Sequence, residues 1–498
     1  MHDYSYLRNF DDCIRGFVRK GHKLTIAFPD RRSGKPELVR ERFETKGISV
    51  LMVPRVRRDH WAKLADFIRR SRSYLLYRKS TFARATYLHD RVAETTPKQV
   101  KAVLDGRWIR SWPRTTDLVC RILEASIPPS DSARRDIANL KPDVVLITPF
   151  FTVPTRYQVE YAKAAQERGV PVGVPVFSWD NLTSKGALQV CPDRLLVWNQ
   201  TQVTEAMSLH NIPASRIAMT GGMRFSMFFG MRSGVSKEEF CASMGLDPSK
   251  PIITYLGSSS TIAPREHEFV GRWIAALRGA KDPAVRDCNI YIRPHPGNSV
   301  IWDHWPSTPS PGIALWDRRG SNVSGVIDSV GHSAAVMGIN TTAMLEAAAL
   351  DKPVLTVLDD DLSVGQAERI HFHYLTSVAG GLVTVANNMD EHTEHLSAIL
   401  SGDSRFSRKS RRFSKAFLRP PWPHRSPVKA FQRAVERLAR SRRPIRLGRS
   451  LARLLRPVAA RLAHTLNARP TQRNNEAEAP VSPQTSNDLE GAASRRGS

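Results

Sequence analysis

Short apolar runs alternate with stretches of helical period along most of this chain, and that alternation predicts its architecture. Residues 9–20 read as a helix, with Asn9 as its cap and Gly21 closing it. Leu24-Thr25-Ile26-Ala27-Phe28 follows as a buried strand. An opening strand ordinarily precedes such a helix, and here only a short polar and aromatic stretch does, so the expectation is a true start further upstream. Residues 60–135 read as helical and rich in Arg, Tyr and Trp, with no further message in their pattern. At 143–147 comes a continuous apolar run of the kind buried on both faces of a parallel sheet. A helix at 156–168, a strand at 170–176, a loop at 177–186, a strand at 194–198, a helix at 200–210 and a strand at 217–220 follow. Gly221-Gly222 punctuates the chain. A second series runs through a strand at 252–256, a Gly-Ser-Ser-Ser loop and a helix at 265–278. It continues with strands at 289–293, 313–316 and 334–338, a helix at 341–350 and a strand at 353–358.

Strands and helices alternating at this length imply right-handed crossovers and parallel sheets. The predicted fold class is α/β: two doubly wound, Rossmann-like parallel-sheet domains facing across a cleft, then a basic helical and disordered tail. The predicted segments are a first domain at 1–221, a linker at 222–250 and a second domain at 251–404. A basic helical return at 405–441, a basic amphipathic helix at 442–466 and a disordered tail at 467–498 complete the chain. The length of 498 residues suits two domains, since single cores stop growing well below that size.

Composition changes the picture in three places. Five scattered cysteines, with no C-x-x-C among them, argue for reduced thiols in a cytosol and against a disulfide framework or a zinc site. No run is long and apolar enough to span a membrane, and the first residues lack the pattern of a signal peptide. The net charge of +27 suggests a nucleic-acid binder until it is located. Residues 405–498 hold 23 Lys and Arg against 5 Asp and Glu, so the surplus belongs mostly to the tail. Within the tail, Leu447, Leu451, Leu454, Leu455, Val458, Leu462 and Leu466 fall at helical spacing, with Arg446, Arg449, Arg453 and Arg456 on another face and Pro457 expected to kink the helix. A basic helix with an aliphatic stripe points to an anionic membrane surface rather than to nucleic acid; a helix docked on the body is the other reading.

The strongest candidate site is Gly338-Ile339-Asn340-Thr341-Thr342, where a strand ends in a small-residue turn and a helix starts with hydroxyls. Backbone N–H groups and the positive end of the helix there suit a phosphate. Glu346, about one turn in, can accept from ribose or sugar hydroxyls; an ordinary capped helix, with Thr341 or Thr342 as cap, is the plain alternative. Gly257-Ser258-Ser259 offers a turn that lets a ligand approach the backbone, or else a simple loop. Arg293-Pro294-His295-Pro296 leaves its strand with a bidentate fork and an imidazole donor. Trp179-Asp180-Asn181, with Lys185, concentrates an aromatic, an acid, an amide and a base on one loop, where an Asx-turn would be the structural reading. His371 and His373 alternate, so on a strand both would share one face; Glu368 is near in sequence, but no spacing completes a metal site. Asp359-Asp360-Asp361 reads as a solvated loop.

Together the loops near 257, 293 and 340 resemble the nucleotide-donor lobe of GT-B fold glycosyltransferases and their relatives. Those relatives include glycerophosphotransferases of the CDP-glycerol type and non-hydrolysing sugar-nucleotide epimerases. The segment from Pro192 through Thr220-Gly221 resembles the end of a GT-B acceptor lobe. The resemblance covers roughly residues 7–400 and departs from the pattern at Phe225-Ser226, where an Asp often follows the Phe. It implies a donor site of Gly257, Ser258, Ser259, Arg293, His295, Asn340, Thr341, Thr342 and Glu346, with His371 and His373 at its rim. It also implies that Trp179, Asn181 and Lys185 lie on the acceptor side, with Asp180 as the base and His295 as the second catalytic group. The expected function is transfer of a sugar, or glycerol phosphate, from a nucleotide-diphosphate donor to a glycan or lipid-linked acceptor. The expected place is the cytoplasmic membrane face, in surface-polysaccharide synthesis. The displacement is expected to be inverting, without metal or other cofactor, the activated donor being a substrate. An epimerase and a non-catalytic GT-B-shaped binding protein are the rivals.

Overall fold

The structure is a computed structural model. It describes residues 7, 9–29, 47–54, 56–148, 156–303, 305, 310–316, 322–359, 366, 369–422, 426–441 and 452–468. The chain divides into two compact units. Unit 1 takes the described residues of Met1–Ser226 and Arg419–Asn474, and unit 2 those of Met227–Leu418.

Unit 1 opens with the helix Asp11–Arg19. Phe10, not Asn9, holds the N-cap position, and no side chain caps the helix. Asp11 and Asp12 fill its first turn, where the positive helix end favours carboxylates. Strand β1 (Leu24–Pro29) pairs in parallel with β2 (Ile48–Val53), a strand absent from the sequence expectations. The remaining strands, β3 (Val145–Leu146), β4 (Val172–Pro175), β5 (Arg194–Val197) and β6 (Ile217–Met219), form a parallel sheet in that order.

Two late helices complete this unit. The helix Pro427–Ala439 starts with Ser426 capping through its hydroxyl and Pro427 in the first turn, where a missing N–H costs nothing. It buries Phe431 and Val435 in the core that holds Phe10, Ile14, Phe17, Ile26 and Phe28. Such side chains each contribute about 1.5–3 kcal/mol when fully buried. A Cβ on Gly16 would stand 1.9 Å from Nε2 of Gln432, so that amide would have to leave its bond to the Cys13 carbonyl.

Of the stretch expected as an amphipathic helix at 442–466, residues 442–451 lie outside the described residues, and the helix Arg456–Ala468 takes up the rest. Residues 452–454 are also helical, and the run is interrupted at Leu455, so Pro457 lies in the first turn of the helix that follows this break. Its buried residues are the small ones, Ala459 and Ala463, in a cluster with Trp61, Leu64, Ile68 and Cys120. Of the aliphatic stripe, Leu454, Val458 and Leu462 face outward, at 75, 51 and 42% exposure. Leu447, Leu451, Arg446 and Arg449 lie outside the described residues, as does nearly all of 467–498. Among the described residues no helix is long and apolar enough to cross a membrane.

Unit 2 is built on six strands: β7 (Ile252–Leu256), β8 (Asn289–Arg293), β9 (Ile313–Leu315), β10 (Ser333–Gly338), β11 (Val354–Val357) and β12 (Val383–Ala386). All pairings are parallel, in the order β12-β11-β10-β7-β8-β9. The chain therefore walks outward from β7 to β9, returns to the other side of β7, and walks outward again to β12. Direction reverses between β7 and β10, and ligands of open α/β sheets bind outside the strand carboxyl ends at such a point. Burial explains the arrangement: β7 and β8 are buried along their whole length, as central strands of a parallel sheet are.

One expectation fails on local geometry. His371 and His373 lie on the helix Ile370–Ser377, not on a strand. At about 100° per residue they diverge by about 200° around the helix axis. His371 is buried and His373 exposed. Glu368 lies outside the described residues, and among those described no group of three metal-ligating side chains occurs. Asp359 pairs with Arg272 at 2.7 Å, while Asp360 and Asp361 are outside the described residues.

Candidate functional site

The register of unit 2 brings three candidate loops together. Gly338 lies opposite Leu256, and Leu256 opposite Arg293, so β10, β7 and β8 end level with one another. The three segments that leave those ends then touch. Gly257 N–H donates to the Arg293 carbonyl at 2.8 Å. A Cβ on Gly257 would stand 2.6 Å from the backbone nitrogen of His295, so only glycine fits this crossing. Asn340 N–H donates to Oγ of Ser258 at 3.4 Å.

The helix Thr342–Ala349 begins at this junction. Thr341 occupies the N-cap position with extended backbone, yet its side chain makes no capping bond. The plain reading of this turn, a hydroxyl spent on capping its own helix, is therefore absent for Thr341. Asn340 and Thr341 are largely buried, and Glu346 is buried one turn further in.

His295 accepts from the N–H of Gly297 through Nδ1 at 2.9 Å. A neutral imidazole that accepts at Nδ1 carries its proton on Nε2, so the remaining nitrogen is a donor. Arg293 is 6% exposed and lies over the ring of Trp316, with its guanidinium carbon 4.1 Å from the ring centre. A Cβ at Gly325 would stand 3.3 Å from its Nη1. The guanidinium thus serves packing of this sheet face, and any contact with a ligand would use its edge.

The sequence reading missed Glu266. Its Oε1 accepts from the N–H of Ser258 at 2.7 Å and from the hydroxyl of Tyr255 at 3.0 Å. Burial pushes its carboxyl up to about 8, against the opposing hydrogen bonds from Ser258 and Tyr255. A largely uncharged acid therefore braces the 257–259 turn from below. An acidic residue in the first turn of the helix after a Gly-Ser-Ser-Ser loop was the available signal.

The 177–186 loop of unit 1 is tightly tied. Asn181 is fully buried, and its Oδ1 accepts from the N–H groups of Phe177 and Ser178 at 3.0 and 3.1 Å. This is the Asx-type structural role, the alternative reading of the loop. Trp179 is also buried, at 6% exposure. Asp180 accepts from the hydroxyls of Ser178 and Ser184 at 2.6 and 2.7 Å, and Lys185 lies 3.2 Å away. These two side chains keep partial exposure, 20% for Asp180 and 34% for Lys185.

The helix Ala62–Tyr77 supports this loop. Gly186 N–H donates to the Tyr77 hydroxyl at 2.7 Å and Ala187 N–H to Oγ of Ser73 at 3.2 Å. Behind it lies a buried ion network. Arg69 pairs with Glu124 and Glu160 at 2.8 and 2.6 Å, and Lys163 with Glu124 at 2.9 Å. Burial opposes ionisation of Glu124, but Arg69 and Lys163 outweigh it and hold the carboxyl at about 2.

No protein-family model and no curated protein matches the chain in sequence. Solved structures do match in shape. A candidate UDP-N-acetylglucosamine 2-epimerase from Listeria monocytogenes superimposes with a TM-score of 0.51 at 10% identity, covering 89% of this chain and 96% of that one. A glycosyltransferase from Rickettsia africae matches over 93% and 95% of the two chains at 11% identity, with a TM-score of 0.39. The UDP-GlcNAc 2-epimerase from Neisseria meningitidis, bound to UDP-GlcNAc, gives 0.41 at 15% identity over 84% and 100%. The last two fits are too loose to argue from, and at such identity the first bears on fold alone. The fold is of the GT-B type.

Proposed function

We propose that the chain is a GT-B enzyme that transfers a sugar, or glycerol phosphate, from a nucleotide-diphosphate donor held on unit 2. One observation carries this reading: three polar strand ends lie level and in contact at the point where the sheet reverses direction. Oriented N–H groups of the helix Thr342–Ala349 and the Nε2 donor of His295 suit a diphosphate, and Glu346 suits ribose or sugar hydroxyls. As the acceptor oxygen bonds to the transferred group, one bond of the donor breaks: the sugar–diphosphate bond when a sugar moves, the bridging phosphoanhydride when glycerol phosphate moves. The nucleoside diphosphate, or in the second case the nucleoside monophosphate, leaves with the electron pair, stabilised by these donors, and the acceptor proton passes to a base. Asp180 is the candidate base, with Lys185 beside it on the acceptor loop and two hydroxyls bonded to its carboxylate. The acceptor is a glycan or lipid-linked glycan at an anionic membrane face. The outward Leu454, Val458 and Leu462 support that location.

A thermal-shift series with UDP, CDP, GDP and dTDP tests the donor site. At about 100 times its dissociation constant the correct nucleotide should raise the melting temperature by roughly 5 °C or more. No shift with any of them at millimolar concentration sinks the reading. With a donor in hand, His295→Ala should lower the transfer rate by about 10²–10³, as loss of one donor to a developing oxyanion does.

A second reading, epimerisation of a sugar nucleotide, draws on the fold shared with the candidate epimerase from Listeria monocytogenes at a TM-score of 0.51. It holds if a free nucleotide sugar is isomerised with no acceptor present, and falls if turnover requires an acceptor.

A further inference from the structure

Unit 1 holds a cavity of about 310 Å³ that the proposed reaction does not use. Its walls come from Gln166 and Glu167, just before β4, and from Leu188 to Cys191, just before β5. It therefore sits at the amino ends of these strands. The 177–186 loop leaves β4 from the opposite end. Its roof is Ala452, Arg453 and Arg456, from the late segment that docks on this unit.

The lining has two chemical halves. Ile127, Leu188, Val190 and Ile212 form an apolar side, and Arg72, Arg121, Lys163, Arg453 and Arg456 a cationic one. Most of that charge is already matched. Arg72 and Arg121 share Asp117 at 3.0 and 2.6 Å, Lys163 holds Glu124, and Glu167 pairs with Arg134 at 2.8 Å. Arg453 and Arg456 are not so matched: among the described residues neither forms an ion pair, and Arg456 reaches only the Ser126 carbonyl, at 3.4 Å. Arg134 is the main cause holding the Glu167 carboxyl low, and the fields of Arg456 and Arg453 add to it. Two surplus guanidinium charges thus face a small space whose other wall is hydrocarbon.

We propose that this cavity binds an amphiphilic phosphate monoester. Its phosphate, with about two negative charges, would meet Arg453 and Arg456, which bind phosphate through paired N–H groups. Its short apolar group would lie on Ile127, Leu188, Val190 and Ile212. The same chemistry is offered by a soluble ester and by the headgroup of an anionic lipid. Binding would fasten the docked helix that carries the outward aliphatic row.

Cys191 lines the cavity, and the other four cysteines are buried, so its alkylation reports occupancy. The full chain is treated with a maleimide, with hexyl phosphate, inorganic phosphate, or vesicles of phosphatidylcholine with or without phosphatidic acid. At about ten times its dissociation constant the occupying species should slow labelling roughly tenfold. Protection by hexyl phosphate assigns the site to soluble esters, and protection by phosphatidic acid vesicles alone assigns it to a lipid headgroup. Either supports the proposal if the R453Q/R456Q double variant loses protection. Equal protection by inorganic phosphate alone overturns the amphiphilic part, and unchanged labelling with every probe overturns the whole. Should the double variant not fold, calorimetric titration of the wild-type chain with hexyl phosphate decides, absence of binding heat together with absence of protection counting against it.

Discussion

Glu266 shows how one side chain sets the chemistry of a turn it never extends beyond. Its carboxyl receives the Ser258 N–H and the Tyr255 hydroxyl, and burial raises its pKa to about 8. Because folding raises this pKa, the contribution to stability is complete below the ordinary carboxylate range and is lost as pH rises through about 8. Glu266→Gln keeps the shape without the ionisation. Its melting temperature should change less than that of the wild type between about pH 6 and about pH 9. Glu266→Ala should melt lower at every pH and lose nucleotide binding with the brace. Identical pH slopes for wild type and Glu266→Gln would show that this carboxyl does not titrate as described.

At the scale of elements, the helix Ala62–Tyr77 is the scaffold of unit 1, holding the 186–187 backbone on one side and the Arg69–Glu124–Lys163 network on another. Removing one charge from such a network strands its partners in a dry interior. Glu124→Gln should therefore cost about 3–5 kcal/mol, read as a lowered denaturation midpoint. A loss under about 1 kcal/mol would mean that water reaches the site and screens it. None of this was legible in the sequence, because the partners stand 39 to 91 positions apart and local periodicity carries no record of such pairings. The strands of unit 2 were legible for the opposite reason: β7, β8 and β11 are short runs rich in β-branched and aromatic residues between turn residues. Strand β2 was missed although Ile48-Ser49-Val50-Leu51-Met52-Val53 carries the same signal. His371-Phe372-His373 misled because three residues of alternation fit a strand and a helix equally, and Ile370–Ser377 as a whole decides for the helix. Of the candidate site, the loops near 257, 293 and 340 were readable as strand ends. Their shared level needed the register, and Asn181 needed the fold to expose its structural role.

For the molecule as a whole, two units with separate sheets make a spatially selective prediction. If a nucleotide binds the level strand ends, hydrogen exchange should slow in peptides covering 255–260, 292–298 and 338–346. The four-stranded sheet β3 to β6 should be left unchanged. Protection spread evenly over both units, or confined to unit 1, would place the nucleotide elsewhere.

The core of unit 1 has a consequence for how the polypeptide emerges from the ribosome. Phe431 and Val435 close over Phe10 and Phe17, yet more than four hundred residues separate the two groups in order of synthesis. The described residues of unit 2, within Met227–Leu418, are made in that interval. The later-made unit can thus finish folding first, while the earlier one waits with an open apolar face for its last helix. A nascent chain halted near residue 418 should then bind chaperones through the apolar face around Phe10 and Phe17, and release should follow once residue 439 has cleared the tunnel.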